Sequence, residues 1–290
     1  MKQNVTFYSE GTSIAGDLYL PENIAENQKL PAVVLCHGFA GIKEILLPAY
    51  AEKFAQNGFA ALVFDYRGFG ASEGERGRLV PTEQIVDIRN AITFMQTRNE
   101  IDDDRIGLWG TSFGGANAMY VAAIDPRVKA LSVQLTFASG ARMVKGDLDE
   151  AGIKKLESTL KKVRERAVTK NKMLKLGPEQ ILTDEESKAF FVKIIEQHPE
   201  LRVKIPVSTL QHIIEHNPQD IIGKVTCPIV IIAAEQDQVC PPEESHRLFE
   251  LANEPKKLVS LTCRHYDAYD GDSFAAGSDA AVEWLSTYLK

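Results

Sequence analysis

The chain has 290 residues, 44% hydrophobic and 25% charged, which is enough to bury one large core without disulfide or metal support. Its 20 Gly and 13 Pro are ordinary, which excludes collagen-like, low-complexity and disordered classes. With a net charge of −7 the chain lacks the basic excess of a nucleic-acid binder, so no nucleic-acid partner is expected.

The opening run MKQNVTFYSE has no apolar stretch behind Lys2. No secretory leader is therefore expected, and a cytoplasmic location is. No apolar run approaches the roughly 18 residues of a membrane span, so no membrane partner is expected. Residues 4–9 and 13–20 read as two strands of a hairpin turning at Glu10-Gly11. Residues 32–36 (AVVLC) and 60–64 (AALVF) are short, wholly apolar strands, with a helix over 48–57 between them. Residues 82–97 place Ile85, Ile88, Ala91, Ile92 and Met95 at helical spacing. Strand 105–109 and helix 112–123 follow, and Asp102-Asp103-Asp104 before them reads as a solvated turn rather than a cation site. Further strands are expected at 130–135, 228–233 and 257–262, and helices at 243–252 and 273–289. Continuous apolar strands alternating with amphipathic helices imply an α/β fold, a doubly wound, mostly parallel sheet with an antiparallel N-terminal hairpin.

The alternation breaks over 139–225, a Lys- and Glu-rich stretch with helices expected at 148–170, 183–197 and 207–216. It reads as a helical cap inserted between core segments 1–138 and 226–290, above the strand C-termini where open α/β sheets hold ligands. The charges of 148–170 read first as a solvated face; a cover over the site and a homodimer contact are the alternatives. The four cysteines, Cys36, Cys227, Cys240 and Cys263, form no CxxC pair and read as free thiols of a reducing compartment.

Gly110-Thr111-Ser112-Phe113-Gly114 is a G-x-S-x-G run set between a strand and a helix. So sharp a turn exposes the serine hydroxyl at the sheet edge and leaves room only for glycine two residues either side. His37-Gly38-Phe39 directly follows a strand, so the N–H groups of Phe39 and Phe113 are candidate oxyanion donors. The rings of Phe39 and Phe113 are candidate substrate contacts, and His37 reads as a loop brace. A serine needs a base, and the base an orienting carboxylate, in the chain order Ser, acid, His. Asp237 is the candidate acid, with Glu235 as runner-up, and His265 the candidate base. His198, His212 and His216 fall in the insertion, and His246 falls within a helix. No dinucleotide, Walker or HExxH motif is present, so no cofactor or metal is called for.

These motifs, with the run from Phe64 to Ser72 (FDYRGFGAS), resemble the α/β-hydrolase superfamily across the chain outside the insertion. HGFAGIKE (37–44), FDYRGFGASEGE and HYDAYDG (265–271) resemble a narrower group. It holds dienelactone-hydrolase-like and dipeptidyl-peptidase-like proteins, and fungal polyketide-processing hydrolases and acyltransferases. Dienelactone hydrolases proper use cysteine where this chain has Ser112. The resemblance implies a serine hydrolase opening a small-molecule ester, thioester or lactone through an acyl-enzyme. An acyltransferase, a C–C bond hydrolase and a non-catalytic binding protein of the same fold are the alternatives.

Overall fold

A computed structural model describes residues 1–146 and 148–290; Asp147, within the expected insertion, lies outside the described residues. The chain opens with β1 (Lys2–Ser9) and β2 (Thr12–Tyr19), paired antiparallel from Lys2↔Tyr19 to Ser9↔Thr12. Glu10 (φ 49°) and Gly11 (φ 83°) are both left-handed, the two-residue turn whose twist matches that of a hairpin. β3 (Leu30–Cys36), α1 (Leu47–Gln56) and β4 (Ala60–Phe64) follow, both strands buried throughout. Then come α2 (Pro81–Gln96), β5 (Ile101–Thr111), α3 (Phe113–Ile124) and β6 (Val128–Gln134).

The stretch between β6 and the next core strand holds α4 (Gly140–Lys145), α5 (Glu150–Lys170), β7 (Lys175–Leu176) and α6 (Pro178–Ile181). α7 (Glu185–Gln197), β8 (Ile205–Pro206) and α8 (Thr209–Ile214) complete it. β7 and β8 form a two-residue antiparallel ladder where no strand was expected. β9 (Ile229–Ala234), α9 (Pro242–Leu251), β10 (Lys256–Leu261) and α10 (Gly271–Leu289) return to the core. The eight-stranded sheet runs β1-β2-β4-β3-β5-β6-β9-β10 and is parallel from β4 onward. This is the α/β-hydrolase fold.

Alternation along the strands builds two cores, one on each face of the sheet. In β3, Val33 and Leu35 pack with α1 and α10, whereas Val34 and Cys36 pack with α2 and α3. α3 is apolar on nearly every side, consistent with burial of Phe113 through Met119 and of Val121 and Ala122. One expectation fails. Asp102-Asp103-Asp104 is the outer end of β5, not a turn; the ladder to β3 resumes after a bulge, and Asp102 meets Arg105 at 2.7 Å. A sequence reading sees three carboxylates there but not that side chains at a strand end can all reach water.

The loop from β4 to α2 is tied to α2 by a buried group. Asp87 of α2 is wholly buried and accepts from the Arg67 backbone N–H (3.0 Å), Nε (2.9 Å) and Nη2 (2.7 Å). Removing one member of such a pair strands the other, at a cost of about 3 kcal/mol. Asp87→Ala is expected to lower unfolding free energy by that order in urea titration; a loss below about 1 kcal/mol contradicts the role.

Candidate active site

Parallel strands end on one edge of the sheet, so loops from adjacent strands meet there. β3 and β5 pair through Cys36↔Gly110, which sets His37-Gly38-Phe39 beside the turn carrying Ser112. β9 and β10 pair through Ala234↔Leu261, and the contact continues beyond the strands, Glu235 N–H to the Leu261 carbonyl (2.8 Å) and Gln236 N–H to that of Cys263 (3.1 Å). That extension delivers Asp237 and His265 to each other.

Ser112 has φ 53° and ψ −123°, a conformation that costs a non-glycine residue about 1–3 kcal/mol. Its N–H donates to the Gln134 carbonyl (2.9 Å), and its carbonyl accepts from Thr136 Oγ1 (2.8 Å). A Cβ on Gly110 would lie 2.6 Å from the Gly114 carbonyl, and one on Gly114 would run into the Cys36 carbonyl. The two glycines are therefore required by the close approach of strand, turn and helix.

His265 is buried, and its Nδ1–H donates to Asp237 Oδ2 at 2.6 Å. Asp237, also buried, accepts at Oδ1 from the N–H groups of Val239 and Cys240, both at 2.8 Å. Three donors thus compensate a carboxylate taken out of water. The runner-up Glu235 meets His246 at 3.3 Å, and no hydrogen bond joins it to His265 among the described residues. Ser112 and His265 line one cavity of about 660 Å³. No hydrogen bond joins them among the described residues: Ser112 Oγ lies 4.0 Å from the Cys240 sulfur instead.

The other side of the cavity is built by the β3 loop. Neither the Phe39 nor the Phe113 N–H meets an acceptor among the described residues, and the two rings stand edge to face with centroids 6.1 Å apart. His37 Nε2 donates to the Ile45 carbonyl (3.0 Å), and burial pulls the imidazole down to about 4, so the ring is neutral and braces its loop. Asp65, unremarked in the sequence beyond its motif, is the second brace. Its oxygens accept from the Lys43 N–H (2.7 Å) and the Ala71 N–H (2.8 Å), and burial pushes its carboxyl up to about 6.

Residues of 139–225 supply much of the remaining wall, among them Met143, Leu156, Leu176, Ile181, Phe190 and Phe191. Cys240 was read only as a buried thiol; nothing in its local sequence places it against Ser112. It is unpaired, and burial holds its thiol well above the usual range. Cys36, Cys227 and Cys263 are also unpaired, with Cys227 half-buried.

His216 stacks on Tyr120 (4.3 Å) with no partner for Nε2 among the described residues, and burial lowers it to about 3. The unfolded chain takes up protons near 6.5 while folded His37 and His216 resist them. Their contribution is complete above pH 6.5 and is lost as pH falls toward 4. His216→Phe removes one of these groups. Its stability is expected to fall less steeply than wild type between pH 6.5 and 4, by up to about 1.4 kcal/mol per pH unit. Parallel curves in urea titrations across this range contradict the assignment.

Comparison with known proteins agrees with the fold. The chain is 40% identical over 287 residues to an uncharacterized 31.7 kDa protein of the traX-finO intergenic region of Escherichia coli, covering 98% of this chain and 99% of that protein. It is 28% identical to the thiohydrolase aneE of Aspergillus aculeatus, over 97% of this chain and 91% of that one. A crystal structure of the hypothetical protein PA2218 from Pseudomonas aeruginosa superposes with a TM-score of 0.86 at 25% identity, over 100% of this chain and 94% of that one. The family model described as serine aminopeptidase, S33 matches residues 27–266, and the chain belongs to this α/β-hydrolase family.

Proposed function

We propose that the protein is a serine acyl hydrolase acting on a small-molecule ester, thioester or lactone through an acyl-enzyme on Ser112. The observation that carries this reading is the buried 2.6 Å contact of His265 Nδ1 with Asp237, on the cavity that Ser112 lines. With Nδ1 occupied as donor, Nε2 is the nitrogen free to take a proton. The Ser112 side chain turns from Cys240 toward it as substrate enters, the tightening expected of catalytic contacts that are loose in the free enzyme. Ser112 Oγ attacks the acyl carbon and its proton passes to Nε2. The oxyanion takes the unpaired N–H groups of Phe39 and Phe113, each donor contributing about 3 kcal/mol to the transition state. Collapse expels the alcohol or thiol, which takes the proton from Nε2. Water, activated by the same nitrogen, then releases the acid. Asp237 keeps the imidazole oriented and stabilises its charge.

The rings of Phe39 and Phe113 and the apolar wall from 139–225, which we read as a cap, favour a partly apolar acyl group. The thiohydrolase relative supports a thioester as one substrate, with a thiol as the leaving group. The same acyl-enzyme serves a transferase if a bound acceptor outruns water beneath the cap.

Ser112→Ala is expected to abolish fluorophosphonate labelling and nitrophenyl-ester turnover. His265→Ala and Asp237→Asn are expected to cut kcat by on the order of 10³-fold or more, while Glu235→Gln leaves it unchanged. Undiminished turnover in Ser112→Ala, or a larger loss in Glu235→Gln than in Asp237→Asn, contradicts the assignment.

A further inference from the structure

The backbone that carries His265 is held from three directions, and one of them is the cap. His265 directly precedes a short 3₁₀ turn, Tyr266–Tyr269. The first N–H of such a turn has no acceptor of its own. For Tyr266 the acceptor comes from α7, where Glu186 Oε1 lies 3.1 Å from the Tyr266 nitrogen. The Tyr266 hydroxyl donates to Ser187 Oγ at 3.2 Å, and its ring stacks on Phe190 with centroids 4.1 Å apart and 14° between planes. Ser187 is wholly buried, and its own N–H is capped by Asp184 Oδ1 at 2.7 Å, so the end of α7 that reaches across is itself fixed. The other two anchors are in the core. Tyr269 meets Thr111, the residue before Ser112, at 2.5 Å, and Tyr50 donates to the Ala268 carbonyl at 3.2 Å. Glu186 is not among the residues that line the cavity.

We propose that Glu186 is a positioning residue for His265: it supplies, from the cap, the acceptor that fixes the turn bearing the base, so that the base is in place when α7 is seated. This rests on His265 being the base, as argued above. Lifting α7 removes the acceptor of Tyr266, its hydroxyl partner and its stacking ring together. A substrate that draws α7 onto the core therefore completes the site it is about to use, which couples recognition by the cap to the chemistry below it.

The test is steady-state turnover of nitrophenyl butyrate with thermal unfolding of each variant. Glu186→Ala is expected to lower kcat on the order of 10- to 100-fold, with KM within about twofold. Glu186→Gln keeps an acceptor oxygen and is expected to recover most of kcat. A substitution that merely loosened the cap would not be rescued this way. Ser187→Ala, which removes the partner of the Tyr266 hydroxyl, is expected to lower kcat less, again with KM held, and it carries the test if Glu186→Ala does not fold. Wild-type kcat in Glu186→Ala beside an inactive His265→Ala overturns the positioning role and leaves the base intact. A rise in KM at constant kcat also overturns it. Wild-type turnover in His265→Ala instead overturns the reading on which the proposal stands.

Discussion

A carboxylate held out of water must be met by donors, and the arrangement of this site follows from how Asp237 meets that demand. It is buried, and its two oxygens accept from Val239, Cys240 and His265. Two of these donors lie two and three residues ahead in its own loop, so the chain must curl back on itself after β9. The third must arrive from the neighbouring strand, which fixes where the β10 loop turns. Once Nδ1 of His265 is spent on this carboxylate, only its other nitrogen is left for the cavity. A buried polar contact thus sets the tautomer, the ring plane and the loop paths in one step.

The opposite wall answers a different constraint. The proposed oxyanion donors must be unpaired before substrate binds, and unpaired backbone N–H groups in a loop invite the loop to collapse onto them. The β3 loop resists because its neighbours are over-determined. His37 is pinned to Ile45, and the N–H of Lys43 is pinned to Asp65, whose other oxygen holds Ala71. The FDYRGFG run therefore acts at a distance: Asp65 braces the loop beside the site, and Arg67 with Asp87 fastens its own loop to the core. Strain at Ser112 is borne in the same way, by Gln134, Thr136 and the glycines packed around it.

What could be read from the residues was whatever is local. Apolar runs and turn chemistry placed the sheet and the Glu10-Gly11 hairpin, and the charged helix expected at 148–170 is α5, which starts at Glu150 with Asp149 as its cap. Position just past a strand, together with motif order, pointed to His265 and to Asp237 ahead of Glu235, which the structure pairs across 28 residues. What could not be read is contact between segments distant in sequence. Glu186 lies 80 residues from Tyr266, Thr111 lies 158 from Tyr269, and Ser112 lies 128 from Cys240. No periodicity in α7 announces that its first turn reaches the histidine loop. Helices as short as α4 and α6 carry too few residues for a period to show.

The central claim is that the acyl group passes through Ser112, and the Cys240 sulfur 4.0 Å away supplies its sharpest competitor. Rapid quenching of a nitrophenyl ester reaction, followed by peptide mass mapping, locates the acyl group on one side chain or the other. The account predicts the acyl mass on the peptide bearing Ser112 and its absence in Ser112→Ala. An acyl mass on Cys240 that survives in Ser112→Ala would contradict it.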